Sequence, residues 1–371
     1  MKFSNLISKE KIEINQIKSN CKYNNIKTNY FLEKVFNILL KKKSLDVVKY
    51  NKKIKKRINI NFNDYKEYSE KYSSIEIEIK PVKNKYGKFI NIYKEDKIYY
   101  HIYFNNNKEE IKRNYINKDE KIGMIKIIID FQVKSFKELF YNCDCINSIY
   151  FKKFYRNNIN NMNYMLSDCS SLKELNLNNF NTNNVSDMSH MFSICSSSKE
   201  SNLNDFNTEK VTDMSYIFSG CSSLEELNLN NFNNKNVTTM AGMFCGCSSL
   251  KELNINNFNT KNVIDMGYMF YGCSSLKELN LNSFNTNMVT DMREMFSLCS
   301  SLKELNLNNF NTNNVTDMSS MFYGCLSLKE LNFDNFNTND VAYIYNMFHR
   351  CSKELIMKIK TQYKNLEEDA F

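Results

Sequence analysis

Nine cysteines, Cys143, Cys169, Cys195, Cys221, Cys247, Cys273, Cys299, Cys325 and Cys351, stand 26 residues apart without a slip of register. A spacing held so strictly is a structural repeat and not a compositional bias. A unit of this length cannot bury its own apolar face, so it must stack on copies of itself.

One unit, Leu302 to Ser327, reads LKELNLNNFNTNNVTDMSSMFYGCLS. Leu305 and Leu307 flank Asn306, the alternation of a strand with apolar side chains inward and polar ones outward. Phe310 to Asn314 follow, turn-forming polar residues around one apolar Phe. Met318, Met321, Phe322 and Cys325 then fall at i, i+3, i+4 and i+7, which predicts one face of a short helix. Thr316 is placed to cap it, and Asp317 suits the positive end of its dipole. Gly220, Gly246, Gly272 and Gly324 share the position before the cysteine, where a helix needs a left-handed stop. The expected fold class is therefore α/β, with a parallel sheet on one side and a row of short helices on the other. At about 4.8 Å per strand, eight or nine units extend roughly 40 Å.

The unit LxxLNLxNFNTxNVTDMSxMFxGCSS resembles the BspA-type leucine-rich repeats, also described as the mycoplasma-lipoprotein-type repeat of 25 residues, over about residues 125–351. The resemblance implies a leucine-rich-repeat solenoid and a place among surface proteins used in adhesion.

A repeat array needs ends that shield its core. At the front, Met124 to Ile129 reads as a strand, and Phe136, Leu139, Phe140 and Cys143 match the apolar face of later units after a shortened loop. At the back, Leu355, Ile359, Tyr363 and Leu366 recur every three or four residues, an amphipathic capping helix within 352–371. One unit is flawed, with Ser198 and Ser201 where others mostly carry Leu. The array spans 124–351. Residues 1–123 read as a small α+β domain behind a helical or disordered lead-in, with a helix at Phe31–Leu40 and strands at Ile75–Lys80, Phe89–Tyr93 and Ile98–Phe104.

Charge separates these regions. Residues 1–140 carry 32 Lys and Arg against 17 Asp and Glu, a net of +15; residues 141–371 carry 18 against 24, a net of −6. The basic part is either a solvated lysine-rich surface or a contact for nucleic acid or an anionic membrane through residues 1–123. Met1 to Gln16 has neither the apolar core nor the cleavage site of a secretory signal, and no apolar run is long enough to span a membrane. The expectation is a cytoplasmic monomer.

Catalytic chemistry finds no support. His101, His190 and His349 are far apart in unrelated contexts, and no nucleophile elbow, P-loop or dinucleotide motif occurs. Asp187, Asp213, Asp265, Asp291 and Asp317 recur every 26 residues, which marks the start of a helix, whereas a catalytic residue is unique. The stripe Met188, Met214, Met240, Met266, Met292 and Met318 reads as core. The cysteines share that apolar face and read as small buried residues. Cys143/Cys145 and Cys245/Cys247 lack the second pair or the histidines that zinc needs. No enzyme activity, metal or cofactor is expected.

What remains is the outward side of the strands, where Lys-Glu-x-Asn-x-Asn recurs. The candidate partner-binding residues are Asn176, Asn228, Asn254, Asn280, Asn306 and Asn332, with Lys251, Glu252, Lys277, Glu278, Lys303 and Glu304. Two readings stand side by side: a broad binding face for a protein or glycan, or a solvated ladder of Lys and Glu that neutralises itself. The functional expectation is a non-catalytic binding scaffold. The alternative is an electrostatic tether, with the basic region held on an anionic lipid or nucleic acid while the repeats display a partner site.

Overall fold

The computed structural model describes residues 70–371 except 178–179, 196–199, 202, 204–205, 338–342 and 365, together with Asn63 and Lys66. The helix expected at Phe31–Leu40 and the position of Ser198 lie outside the described residues. The chain divides into two compact units at Ser73/Ser74, and the second, Ser74–Phe371, is described below. It is a mixed α/β structure, mostly strands and turns with few helices, and its sheets are open.

Its front is a five-stranded sheet. β1 (Ile75–Pro81), β3 (Tyr100–Phe104), β5 (Ile125–Ile129), β6 (Ile146–Lys153) and β7 (Glu174–Asn176) lie in the order β3-β5-β1-β6-β7, while β2 (Gly87–Lys88) pairs with β4 (Tyr115–Ile116) apart from it. β1 shows why the segment is a strand. Ile75, Ile77 and Ile79 are buried, while Glu76 and Glu78 alternate outward to meet Lys126 and Lys152. β1 runs antiparallel to both β5 and β6, so the boundary drawn at 123/124 falls inside this sheet. Phe89–Tyr93 is not a strand, and a 3-10 helix occupies Lys94–Tyr99 ahead of β3.

From β6 onward neighbours are parallel and 26 residues apart: β6 with β7, β8 (Glu200–Ser201) with β9 (Glu226–Leu227), Asn228 with Asn254, and β10 (Glu304–Asn306) with β11 (Glu330–Asn332). Among the described residues this strand side is interrupted. The unbroken ladder is on the other side, where Ser135, Asn161, Asp187, Asp213, Thr239, Asp265, Asp291, Asp317 and Tyr343 are bridged in succession.

The short helices expected there are a correction. In each unit the segment is a run of tight turns. The N–H groups of Met318, Ser320, Phe322 and Gly324 donate to the carbonyls of Tyr343, Tyr345, Met347 and His349 in the next unit, at 2.8–2.9 Å. The intervening Met321, Tyr323 and Cys325 donate three residues back within their own unit. A helix would have consumed all of these groups internally. Ser320 and Gly324 adopt positive φ, as the glycines before the cysteines were expected to, and this interrupts helical propagation. Turns of four residues place Met318, Met321, Phe322 and Cys325 on the core side with the same spacing as a helix, and all four are buried. The left-handed residues cost about 1–2 kcal/mol each when they are not glycine, offset by inter-unit hydrogen bonds worth about 1 kcal/mol each. The aspartates open the turns: Asp317 Oδ1 accepts from the Ser319 N–H at 2.9 Å and its hydroxyl at 2.6 Å.

The remaining motif residues tie units together. Thr286 donates its hydroxyl to the Asn311 carbonyl at 2.9 Å and accepts the Asn311 N–H at 2.8 Å. The Asn314 amide reaches back to the Asn287 carbonyl at 2.7 Å. Phe192, Phe218, Phe244, Phe270, Phe296, Phe322 and Phe348 stack with near-parallel rings 5.5–6.0 Å apart.

Both ends are covered. In front, Asn91 donates to the carbonyls of Glu138, Leu139 and Tyr141. Arg156 stands where later units carry Thr182, Thr208 and Thr260, and its buried guanidinium bonds to the Asp130 carbonyl at 2.6 Å. Behind, α1 (Lys353–Gln362) starts at Ser352, whose hydroxyl accepts from Leu355 N–H, and buries Leu355 and Ile359. The tail then returns, Asp369 and Ala370 accepting from the N–H groups of Asn346 and Phe348.

Candidate functional site

The outward residues of four consecutive units form a groove of about 930 Å³. It gathers Lys251, Glu252, Asn254, Lys277, Glu278, Asn280, Glu304, Asn306 and Asn332 from the residues predicted for the binding face. Three predicted residues lie outside its lining. Asn228 is exposed one unit earlier, Asn176 borders a separate, more apolar cavity of about 420 Å³ beside β7, and Lys303 is exposed next to the lining residue Glu304. The lining adds Glu330, Asn256 and Asn282, which the recurring Lys-Glu-x-Asn-x-Asn already marks. The leucines Leu253, Leu279, Leu281 and Leu305 contribute to its floor; Leu279 is half-buried and the other three are buried.

The groove lies where strand pairing lapses. Asn254 pairs back to Asn228 and pairing resumes at β10 with β11; the 278–281 segment between forms no strand pair among the described residues, although the Lys303 N–H donates to the Lys277 carbonyl at 3.4 Å. The N–H groups of Glu278, Leu279, Asn280 and Leu281 have no hydrogen-bond partner among the described residues.

The side chains of Asn254, Asn280 and Asn306 do not bond one another from unit to unit. Asn254, Asn280 and Asn306 each turn Oδ1 onto the N–H two residues ahead, at 3.2, 3.0 and 3.0 Å. That local turn is the ordinary use of a short amide side chain. It fixes the orientation of the amide and leaves each Nδ2 without a partner among the described residues.

Lysine and glutamate neutralise each other only in part along the face. Lys251 is held by Glu225 at 2.7 Å, and Glu330 by Lys358 at 2.8 Å. Lys277, Lys303, Glu252, Glu278 and Glu304 make no ion pair among the described residues. Glu304 and Glu330 are in register on neighbouring parallel strands. Like charges so placed oppose folding by a fraction of a kcal/mol per pair.

The lining holds no Ser, Thr, Cys, Tyr or His, and no group of three or more His, Cys, Asp or Glu among the described residues could hold a metal ion. The thiols are committed elsewhere. Each of Cys169, Cys221, Cys247, Cys273, Cys299, Cys325 and Cys351 is buried and donates to a Phe carbonyl at 3.0–3.2 Å, as Cys325 does to Phe296. Burial pushes Cys169, Cys221, Cys299 and Cys351 up to about 12, so they stay protonated and unreactive. What the groove offers is hydrogen-bond donors from amide and backbone, flanked by carboxylates.

Among known proteins, a family model described as "Mycoplasma protein of unknown function, DUF285" matches residues 129–201, 194–304 and 275–362. No curated protein and no solved structure matches the chain.

Proposed function

The chain belongs to the DUF285 family, whose model covers the repeats in three overlapping stretches, and we propose that it is a non-catalytic binding scaffold that presents its Glu–Asn face to a protein partner. The finer fold reading goes with it: a leucine-rich-repeat solenoid of the BspA type, supported by the Leu-x-Leu strands and their parallel neighbours 26 residues on. The single observation behind the function is the groove itself. Unpartnered amide nitrogens and uncompensated carboxylates recur there in consecutive units, over a core that spends its cysteines and its loop asparagines on structure. No helix among the described residues is long and apolar enough to cross a membrane.

The test uses the full chain and a variant with Asn254, Asn280 and Asn306 changed to Ala. Proteins captured by the first and lost by the second, by quantitative mass spectrometry, support the reading. Identical capture by both, with the fold intact by circular dichroism, refutes it. The net +15 of residues 1–140 favours a second reading, the electrostatic tether. It calls for binding to anionic vesicles or RNA that weakens steeply with salt and survives the triple Asn substitution.

A further inference from the structure

Resting on the scaffold reading, we infer that the groove takes an extended polypeptide rich in lysine or arginine. The charged side chains of the lining are Glu252, Glu278, Glu304 and Glu330 against Lys251 and Lys277. Lys251 is already answered by Glu225 and Glu330 by Lys358. Within the lining three free carboxylates then face one free ammonium group, Lys277, with unpaired Lys303 next in the row outside it. Such a row, repeated in every unit, opposes folding and is relieved by cations from outside.

The neutral donors complete the match. The Nδ2 groups of Asn254, Asn280 and Asn306 recur at one strand spacing beside the unpaired N–H groups of the 278–281 segment. Backbone carbonyls of an extended chain accept from such donors while its basic side chains meet the glutamates. No aromatic side chain lines the groove, so it lacks the flat apolar platform on which a sugar ring would stack. Free Lys277 sets the specificity: a partner places no cation beside it.

Fluorescence anisotropy with the full chain tests this, using a labelled peptide of alternating lysine and serine and its threonine–serine counterpart. The lysine peptide is expected to bind in preference, and more weakly as salt rises. Changing Glu252, Glu278 and Glu304 together to Gln should weaken it about tenfold, the combined effect of three exposed ion pairs. That variant should melt no lower than the parent, because it removes like charges. Lys277→Ser should tighten binding about twofold. Equal binding of both peptides, or an unchanged affinity in the triple Gln variant, overturns the inference. If the lysine peptide fails while capture still depends on the three asparagines, the scaffold reading stands and only the cationic partner falls.

Discussion

The ring of Tyr216 lies over the Cα of Gly242, so close that a Cβ on Gly242 would sit 2.2 Å from the Tyr216 ring. Gly242 has φ +57°, and the equivalent residues of other units, Tyr164, His190, Tyr268 and Glu294, are also left-handed. The conformation alone therefore does not require glycine there; the ring does. Gly242→Ala should destabilise by about 2–4 kcal/mol, from overpacking added to the left-handed penalty. Gly246→Ala meets only the Gly220 backbone at 3.5 Å and should cost the left-handed term alone. Denaturant melts compare the two, and Tyr216→Ala should rescue Gly242→Ala and not Gly246→Ala.

Asp265 carries a second prediction. Its half-buried carboxyl is pushed above the usual range by desolvation, against which the Gly267 N–H at 2.9 Å works. Gly267 supplies no hydroxyl of the kind Ser319 gives Asp317. A carboxyl raised on folding favours the folded state while protonated, and that advantage is lost as pH climbs through its folded value. Asp265→Asn should therefore be at least as stable as the parent at neutral pH. The two should converge in acid below about pH 4, the ordinary Asp value. Thermal melts across that range decide it, and a variant less stable at neutral pH would contradict the sign.

The thiols provide a third. Cys195 and Cys245 are only half-buried, whereas the other repeat cysteines are buried. Native labelling should modify Cys245 first and the rest, Cys195 included because its thiol is desolvated and bonded to the Leu166 carbonyl, only on unfolding. Cys325→Ser keeps a donor for the Phe296 carbonyl and Cys325→Ala removes it, yet burying a more polar hydroxyl has its own cost. Rapid native modification of most of the nine would contradict the core assignment.

How much of this was legible in the sequence depends on the residue. The period was written in the cysteines, and the inward leucines in their alternation. The turns were not distinguishable from helices, because Met318, Met321, Phe322 and Cys325 satisfy both geometries; only the hydrogen bonds to the next unit separate them. The asparagines offered little as composition, yet Asn314 ties two units and Asn306 closes a turn. The Glu–Asn face was legible as a recurring motif. Its incomplete internal compensation was not, since adjacent Lys277 and Glu278 look paired in the sequence yet make no ion pair among the described residues.

Ser201 is the remaining departure from the motif, and it can be argued through. It stands in register with Leu227 on the neighbouring parallel strand, a residue that is itself buried. Every other unit from Leu175 to Leu331 carries Leu at this position. In the flanking units a cavity of about 420 Å³ is bounded by Leu172, Leu177, Phe192, Leu203, Phe218 and Leu224. Ser201→Leu restores the residue that the other units carry at this register and should stabilise the protein by about 0.5–2 kcal/mol, the usual return for a change toward the repeat consensus. Because units couple chiefly to their neighbours, the gain should appear first as slower amide exchange at Phe192 and Phe218, ahead of any change at Phe322. A lower melting temperature, or exchange slowed equally along the whole array, would mean that the serine is held by contacts a leucine cannot replace.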